Sequence, residues 1–174
     1  MSLIAAIDYS MTSPAVAICT GELKYENFQF FSLCSHHIPD KDNITFTYLP
    51  KFEDDTERFG YLADWVIRCI PSSVDAIVLE GYSMGSKGKV FNIGENTGIL
   101  KYKLWKELSK TLVIVPPTVA KKFATGKGNA DKQQMYDAFV AQTNVPLKEM
   151  LQPQRLLGSP TTDIIDAFFL AHLS

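Results

Sequence analysis

Near its end the sequence reads Ser159-Pro-Thr-Thr-Asp163-Ile-Ile-Asp166-Ala-Phe-Phe-Leu-Ala-His172, which is the pattern of a buried helix. Ser159 suits the N-cap and Pro160 the first helical position. Asp163 and Asp166 are three residues apart, so their carboxylates lie side by side on such a helix. The apolar residues between and after them predict one broad face packed against the body of the protein: Ile164, Ile165, Phe168, Phe169 and Leu170.

Five apolar runs upstream predict a mixed sheet, with strands at residues 3–7, 15–19, 25–33, 75–79 and 111–115. Short turns separate the first three, which favours an antiparallel meander. A polar excursion over 35–53 follows, with room for a small further strand around Ile44–Tyr48 that is not counted among the five. An amphipathic helix from Asp54 to Pro71 then leads to the fourth strand, which makes the first and fourth strands parallel.

The rest of the chain is predicted to be mainly helical, with helices at 90–109, 119–124 and 130–143 and an irregular segment at 146–158 before the closing helix. This order of elements predicts an α/β three-layer architecture. The length of 174 residues and the hydrophobic content of 46% suit a single domain over residues 1–174.

Two of the predicted strands end in an acid, Asp8 after the first and Glu80 after the fourth. Ligands of open α/β sheets collect at the carboxyl ends of the strands, so parallel neighbours would bring these two acids together. The closing helix would deliver Asp163 and Asp166 to the same edge. Four like charges repel one another, and oxygen-only ligation favours Mg²⁺ or Mn²⁺ as the compensating ions. Two such ions are a known solution for phosphodiester hydrolysis.

Each acid also has an ordinary interpretation when it is taken alone. An acid at a strand end often marks the exit of the chain into water. Asp163 and Asp166 would be favoured in a first helical turn by the helix dipole, without any metal. Only the four acids together, on two apolar strands and one apolar helix, point to a metal site.

The net charge of −2 conceals a basic middle region. Between residues 84 and 132 there are three acids and ten lysines: Lys87, Lys89, Lys101, Lys103, Lys106, Lys110, Lys121, Lys122, Lys127 and Lys132. A lysine-rich surface beside a metal cluster suits a polyanionic substrate. The alternative is a solvated helix face, which we expect for about half of Lys101, Lys103, Lys106 and Lys110. Tyr82, two residues after Glu80, is the best candidate for stacking on a base.

Cys19, Cys34 and Cys69 form no CxxC pair, which indicates free thiols in a reducing compartment and argues against zinc. No run approaches eighteen apolar residues, so we expect a soluble cytoplasmic protein without membrane association. The spacing of a phosphate-binding P-loop is absent around Gly126-Lys127-Gly128, and we expect no nucleotide cofactor. His36, His37 and His172 lack metal-ligand or triad spacing and are predicted to be surface or packing residues.

The assembled motifs resemble the RuvC-type Holliday junction resolvases of the ribonuclease H-like superfamily, in particular phage-type members. The similar segments are Ile7-Asp8-Tyr-Ser10-Met-Thr-Ser13-Pro14, Leu79-Glu80-Gly-Tyr82, Asp163-Ile-Ile-Asp166-Ala and, most specifically, Val119-Ala-Lys121-Lys-Phe-Ala-Thr-Gly126-Lys-Gly128-Asn-Ala130-Asp-Lys132. Ser10 stands where many cellular members have glycine, and Ser83 where they have an aromatic residue. Either stacking does not open the junction here, or Tyr82 has taken that role.

The resemblance implies a ribonuclease H-like fold, a homodimer and Mg²⁺-dependent nicking of four-way DNA junctions at two symmetric positions. It carries over Asp8, Glu80, Asp163 and Asp166 as catalytic metal ligands, with two Mg²⁺ per site and Mn²⁺ as a substitute. It implies DNA contacts by Lys121 and Lys132, to which the basic segments add Lys87, Lys89 and Lys127, and it places the 90–109 helix in the dimer interface. A bacterial cytoplasm and a phage or other viral origin would fit.

Other functions fit parts of the pattern. The same acids would serve a nuclease that cuts flaps, forks or RNA–DNA hybrids. A non-catalytic DNA-binding module would have no reason to keep four carboxylates beside a polyanion. An actin-like ATPase shares the first strand and its acid, but the chain is too short for two lobes and lacks the glycine-rich phosphate loops.

Overall fold

A computed structural model describes residues 2–82, 90–110 and 112–174. Its strands are β1 (Leu3–Asp8), β2 (Ala15–Thr20), β3 (Phe28–Cys34), β4 (Ile44–Tyr48), β5 (Ala76–Glu80) and β6 (Leu112–Val115). They form a sheet in the order β4-β3-β2-β1-β5-β6. β1, β2 and β3 make the predicted antiparallel meander, and β1 is parallel to β5 as expected from the helical crossover.

The mixed α/β architecture is confirmed, and the sheet has six strands where five were counted. The additional strand is β4, which lies in the excursion expected to be mostly irregular and pairs in parallel with β3. Of its five residues only Ile44 is fully buried, so the apolar pattern that identifies a strand is weak there. Backbone pairing with the edge of β3 stabilises this strand, although its apolar pattern is weak.

The helices are α1 (Asp55–Cys69), α2 (Val90–Lys103), α3 (Pro117–Thr125), α4 (Lys132–Thr143), α5 (Leu147–Leu151) and α6 (Thr161–Ala171). The predicted helix over 90–109 is two pieces, because after Lys103 the chain widens into a π-helical segment at Leu104–Leu108. α4 begins two residues later than expected, since Asp131 caps it in a reciprocal bond pair with Gln134. α5 lies within the segment that was expected to be irregular.

The sheet separates two apolar cores, and the residues of β1 alternate between them. Ile4 and Ala6 belong to the core under α4 and α6, whereas Ala5 and Ile7 belong to the core under α1 and α2. This alternation is the period of two that a strand imposes on its side chains. It also determines the side of the sheet on which the last residue of each strand lies.

α6 is the most deeply buried helix among the described elements, and all its residues except Asp166 are buried. Phe168 packs against Phe28, Phe139 and Phe169, with ring centroids 5.0 to 5.3 Å apart. The predicted apolar face is therefore confirmed. The predicted cap is wrong: Pro160 is the N-cap, and Ser159 makes no capping bond there.

Cys19 and Cys34 are buried free thiols, and Cys69 is a partly exposed one. Within the described ranges, the helices are all too short or too polar to cross a membrane.

Candidate active site

β1 and β5 bring Asp8 and Glu80 together at one edge of the sheet. Ile7 and Leu79 are register partners in the parallel ladder, so the acids that follow them lie on adjacent strands about 4.8 Å apart. Ile7 and Leu79 both face the core under α1 and α2. By alternation, Asp8 and Glu80 project to the other face of the sheet, which α6 covers. The two carboxyl groups are close enough for each to shift the pKa of the other.

α6 adds Asp163 and Asp166 to the same place, because it packs directly across β1 and β2. Asp163 is buried, whereas Asp166 is partly exposed. The hydroxyl of Ser13 donates a 3.1 Å hydrogen bond to that of Ser159, and both hydroxyls lie close enough to Asp163 to lower its pKa against the larger effect of burial. The Ser159 hydroxyl thus lies beside an acid of the helix and does not cap the backbone amides at its start.

The four acids influence one another electrostatically. Burial raises the pKa of Asp8 well above its usual range, and the charges of Glu80, Asp166 and Asp163 raise that pKa further. Burial and the charges of Glu80 and Asp163 raise the pKa of Asp166 to about 7. The close approach of the two carboxyl groups raises the pKa of Asp8 further and offsets part of the rise that burial gives Glu80.

Lysine side chains from two helices stand beside these acids. Lys121 of α3 and Lys132 of α4 line a cavity of about 110 Å³ together with Asp166 and Thr162. Their positive charges lower the pKa of Asp166, and Lys121 also lowers that of Glu80. These two lysines lie far from the acids in sequence, and the fold makes them neighbours.

The other predicted nucleic-acid residues are distributed around the site. Tyr82 is 44% exposed at a cavity of about 340 Å³ that is also lined by Asp8 and Glu80, and Lys101 lies over its ring at 4.9 Å. Lys127 is exposed in the turn after α3, where Gly126 has a φ of 78°. Lys87 and Lys89 lie outside the described residues.

The chemistry of the donor set fits a hard divalent cation. The four acids offer only oxygen ligands, which hard cations prefer. Oδ2 of Asp163 is buried without a hydrogen-bond partner among the described residues. Within the same residues, no three acidic, histidine or cysteine side chains already surround a point at ligand distances.

Several residues of the site were missed in the sequence. Asn96 and Thr97 of α2 are buried polar residues that line the 340 Å³ cavity, and the Tyr9 hydroxyl donates a 2.9 Å hydrogen bond to Oδ1 of Asn96. Ser13 was quoted only as part of a motif. A buried asparagine on an otherwise apolar helix face is the one local signal that would have indicated Asn96.

No protein-family model matches the sequence, and no curated protein matches it. Solved structures match its fold, among them structures of two resolvases. Thermus thermophilus RuvC has a TM-score of 0.61 at 15% identity, covering 97% of this chain and 90% of that one. RuvC of the same organism in complex with a Holliday junction substrate has a TM-score of 0.63 at 15% identity, covering 98% and 91%. Fowlpox virus resolvase in complex with substrate Holliday junction DNA has a TM-score of 0.51 at 16% identity, covering 98% and 95%.

These matches extend over nearly the whole of each chain. The protein therefore has the ribonuclease H-like fold of the RuvC-type resolvases, as its sequence motifs predicted.

Proposed function

We propose that the protein is a divalent-metal-dependent endonuclease that resolves four-way DNA junctions by paired symmetric nicks. The observation that carries this proposal is the meeting of four acids from three elements at one sheet edge, with lysines beside them. Two of the solved structures that share the fold hold Holliday junction DNA. The substrate class is taken from them, and the chemistry from the residues of this chain.

Asp8, Glu80, Asp163 and Asp166 are the proposed ligands of two Mg²⁺ ions, for which Mn²⁺ would substitute. These four carboxylates would hold the ions in their ionised form, so metal binding would release protons from the acids whose pKa is raised. Bound ions would supply water activation and stabilisation of the charge that develops on the phosphate. Burial of Asp8 and Asp163 keeps the ligands rigid, while the partial exposure of Glu80 and Asp166 leaves an entry for substrate.

Lys121 and Lys132 are the proposed contacts to the phosphate that is cut. Each is close enough to shift the pKa of Asp166, so a phosphate bound at the acids would lie within reach of both. Lys127 would contact the strand further along, and Tyr82 would stack on a base at the cavity it shares with Asp8. Lys87 and Lys89 are proposed to add to this basic surface on charge alone.

A homodimer is the proposed active form, because symmetric nicking needs two sites. α2 and the π-helical segment after it expose three large aromatic side chains, with 86% exposure for Phe91, 56% for Tyr102 and 69% for Trp105. Exposed aromatic groups of this size on one element are typical of protein interfaces. A second copy packed on this face would bring a second set of acids to the same junction.

The test is cleavage of a synthetic four-way junction in Mg²⁺ by the wild type, Asp8→Asn and the control Asp137→Asn, an exposed acid of α4. Asp8→Asn should lose at least about 100-fold in rate, because a metal ligand accounts for several kcal/mol of transition-state stabilisation. Asp137→Asn should cut like the wild type, with nicks on opposed strands. Equal cutting by wild type and Asp8→Asn, or no cutting of the junction while flaps, forks or hybrids are cut, would refute the proposal.

A further inference from the structure

A second group of basic side chains lies outside the acid cluster, where the segment after β3 meets the segment after α5. It surrounds a cavity of about 250 Å³ whose lining includes His36, His37, Pro39, Gln152 and Arg155. Arg155 is one of only three arginines in the chain. Neither histidine was expected to have more than a surface or packing role.

The positive charge of this group is that of Arg155, which faces a histidine and no acid among the described residues. Nη1 of Arg155 lies 3.1 Å from Nε2 of His36, and no ion pair within the described residues involves Arg155. Burial and the facing guanidinium lower the pKa of His36 below its usual value. A guanidinium is a planar fork of donors suited to phosphate, and here it faces an imidazole, a weaker partner than a carboxylate.

Two contacts connect this group to the body of the protein. The Thr161 hydroxyl donates a 3.3 Å hydrogen bond to Oε1 of the buried Gln152, which fixes the start of the segment to α6. On the other side, Leu49 donates its backbone N–H to the carbonyl of Cys34, which fixes the end of β3 before His36. The chain just before Arg155 is therefore bound to the helix that carries Asp163 and Asp166, and the chain just before His36 is bound to β4.

The register of the sheet gives the distance from the acids. Asp8 pairs with Ala15, and Ala15 pairs with Ser32, so Ser32 lies level with Asp8 two strands away, at about 10 Å. β3 runs parallel to β1, and His36 follows Ser32 by four residues, which at about 3.3 Å each adds at most roughly 13 Å. Arg155 and His36 thus lie at the edge of the sheet that holds the acids, on the β3 side. Lys121 and Lys132 line a cavity with Thr162 and Asp166, so they lie beside α6.

We infer that His36, His37 and Arg155 bind a backbone phosphate of the DNA a few base pairs from the cut, on the β3 side of the acids. The inference rests on the proposed function and extends it to a second contact region. With a rise of 3.4 Å per base pair, a separation of about 15 to 20 Å corresponds to roughly five base pairs of duplex. The duplex then lies along the sheet edge, from the acids toward the end of β3.

The test is DNA binding in EDTA, which separates binding from cleavage. A fluorescein-labelled four-way junction and a linear duplex are titrated with wild type, Arg155→Gln and Arg68→Gln at several salt concentrations, and anisotropy gives Kd. Arg68 is the matched control, because it is an exposed arginine near the end of α1, and the chain beyond it leads to Asp75 at the opposite edge of the sheet.

Arg155→Gln should bind both DNAs about fivefold more weakly, as expected for one exposed charge pair. The slope of log K against log salt should become shallower by about 0.9, the value for one lost phosphate contact. Arg68→Gln should match the wild type in both quantities. Wild-type affinity and slope in Arg155→Gln, or an equal loss in both variants, overturns the inference.

Imidazole NMR signals provide a structural check with an internal control. The signals of His36 and His37 should shift when duplex is added, whereas that of His172, whose ring packs on Phe168 at 4.7 Å, should not. Equal shifts at all three histidines would indicate a global change and would contradict a local contact. If the protein binds DNA but cuts no junction, only the proposed function is refuted. The comparison of Arg155→Gln with Arg68→Gln still tests the phosphate contact.

Discussion

Ser13 and Ser159 are 146 residues apart in the chain, and the hydroxyl of the first donates a hydrogen bond to that of the second. Both hydroxyls lie beside Asp163 and lower its pKa against the larger effect of burial, which raises it. The serines thus keep an acid closer to its ionised form in a place where burial favours the neutral form. Orientation by such hydroxyls is how residues next to metal ligands influence metal affinity.

Ser13→Ala should therefore weaken binding of Mn²⁺ at pH 7 by about tenfold, the lower end of the range for lost supporting hydrogen bonds. Calorimetric titration measures this directly. Ser72→Ala removes an exposed hydroxyl in the loop before β5 and should leave the affinity unchanged. Unchanged affinity in Ser13→Ala would mean that this hydroxyl does not contribute to metal binding.

α6 combines two roles that its sequence makes compatible. Its apolar residues pack on the sheet, and its first acid faces the same sheet edge, so the packing that stabilises the fold also positions half of the acid cluster. Leu170 is completely buried one turn beyond Asp166. Loosening this helix should therefore affect both the stability of the fold and the geometry of the acids.

Leu170→Ala should lower the free energy of unfolding by about 2 to 5 kcal/mol, since it removes a fully buried side chain and leaves a cavity. Leu156→Ala is the matched control, because Leu156 is 93% exposed and its loss should change that free energy by less than about 0.5 kcal/mol. Urea unfolding followed by circular dichroism measures both. Similar losses in the two variants would mean that α6 does not hold the fold as its packing indicates.

At the scale of elements, the predictions from sequence succeeded where a local pattern was sufficient. Apolar strands that end in an acid identified Asp8 and Glu80, and the alternation of β1 and β5 places both on the face of α6. The number of strands was underestimated, because β4 has one fully buried residue and its pairing depends on β3.

Contacts between distant residues explain the remaining errors. Ser159 has the local preference of an N-cap, yet its hydroxyl accepts a hydrogen bond from Ser13 and lies beside Asp163. Ser13 is 146 residues away in the chain, so no local pattern could predict this contact. The nearness of Lys121 and Lys132 to the acids is likewise a product of the fold. The apolar spacing after Lys103 is the same as that of an ordinary helix, although the segment there is π-helical. The sequence pattern therefore predicted a single helix.

For the whole molecule, the acid cluster links stability to pH. The folded-state pKa of each of the four acids is raised, most clearly to about 7 for Asp166 against an ordinary value of 3.8. Between these two values the folded protein binds more protons than the unfolded chain. The contribution of the cluster to the free energy of unfolding is therefore at its maximum below about pH 4. This contribution is lost as pH rises toward 7.

In EDTA, the melting temperature should accordingly fall as pH rises from about 4.5 to about 7.5, apart from the contributions of other groups. A shift of about three pKa units in Asp166 corresponds to a loss on the order of a few kcal/mol, or roughly 10 °C for a chain of this length. Asp166→Asn removes the titrating carboxyl and should flatten this dependence, whereas Asp137→Asn should keep it.

Mg²⁺ should raise the melting temperature at pH 7.5 more than at pH 5, since a divalent ion binds the ionised acids and competes with their protons. Differential scanning calorimetry of wild type and Asp166→Asn, with EDTA or Mg²⁺ at both pH values, makes the comparison. A melting temperature that rises with pH in EDTA in wild type and Asp166→Asn alike would show that repulsion among the buried acids does not govern the stability of the metal-free protein. In that case the raised pKa values would no longer support a metal site.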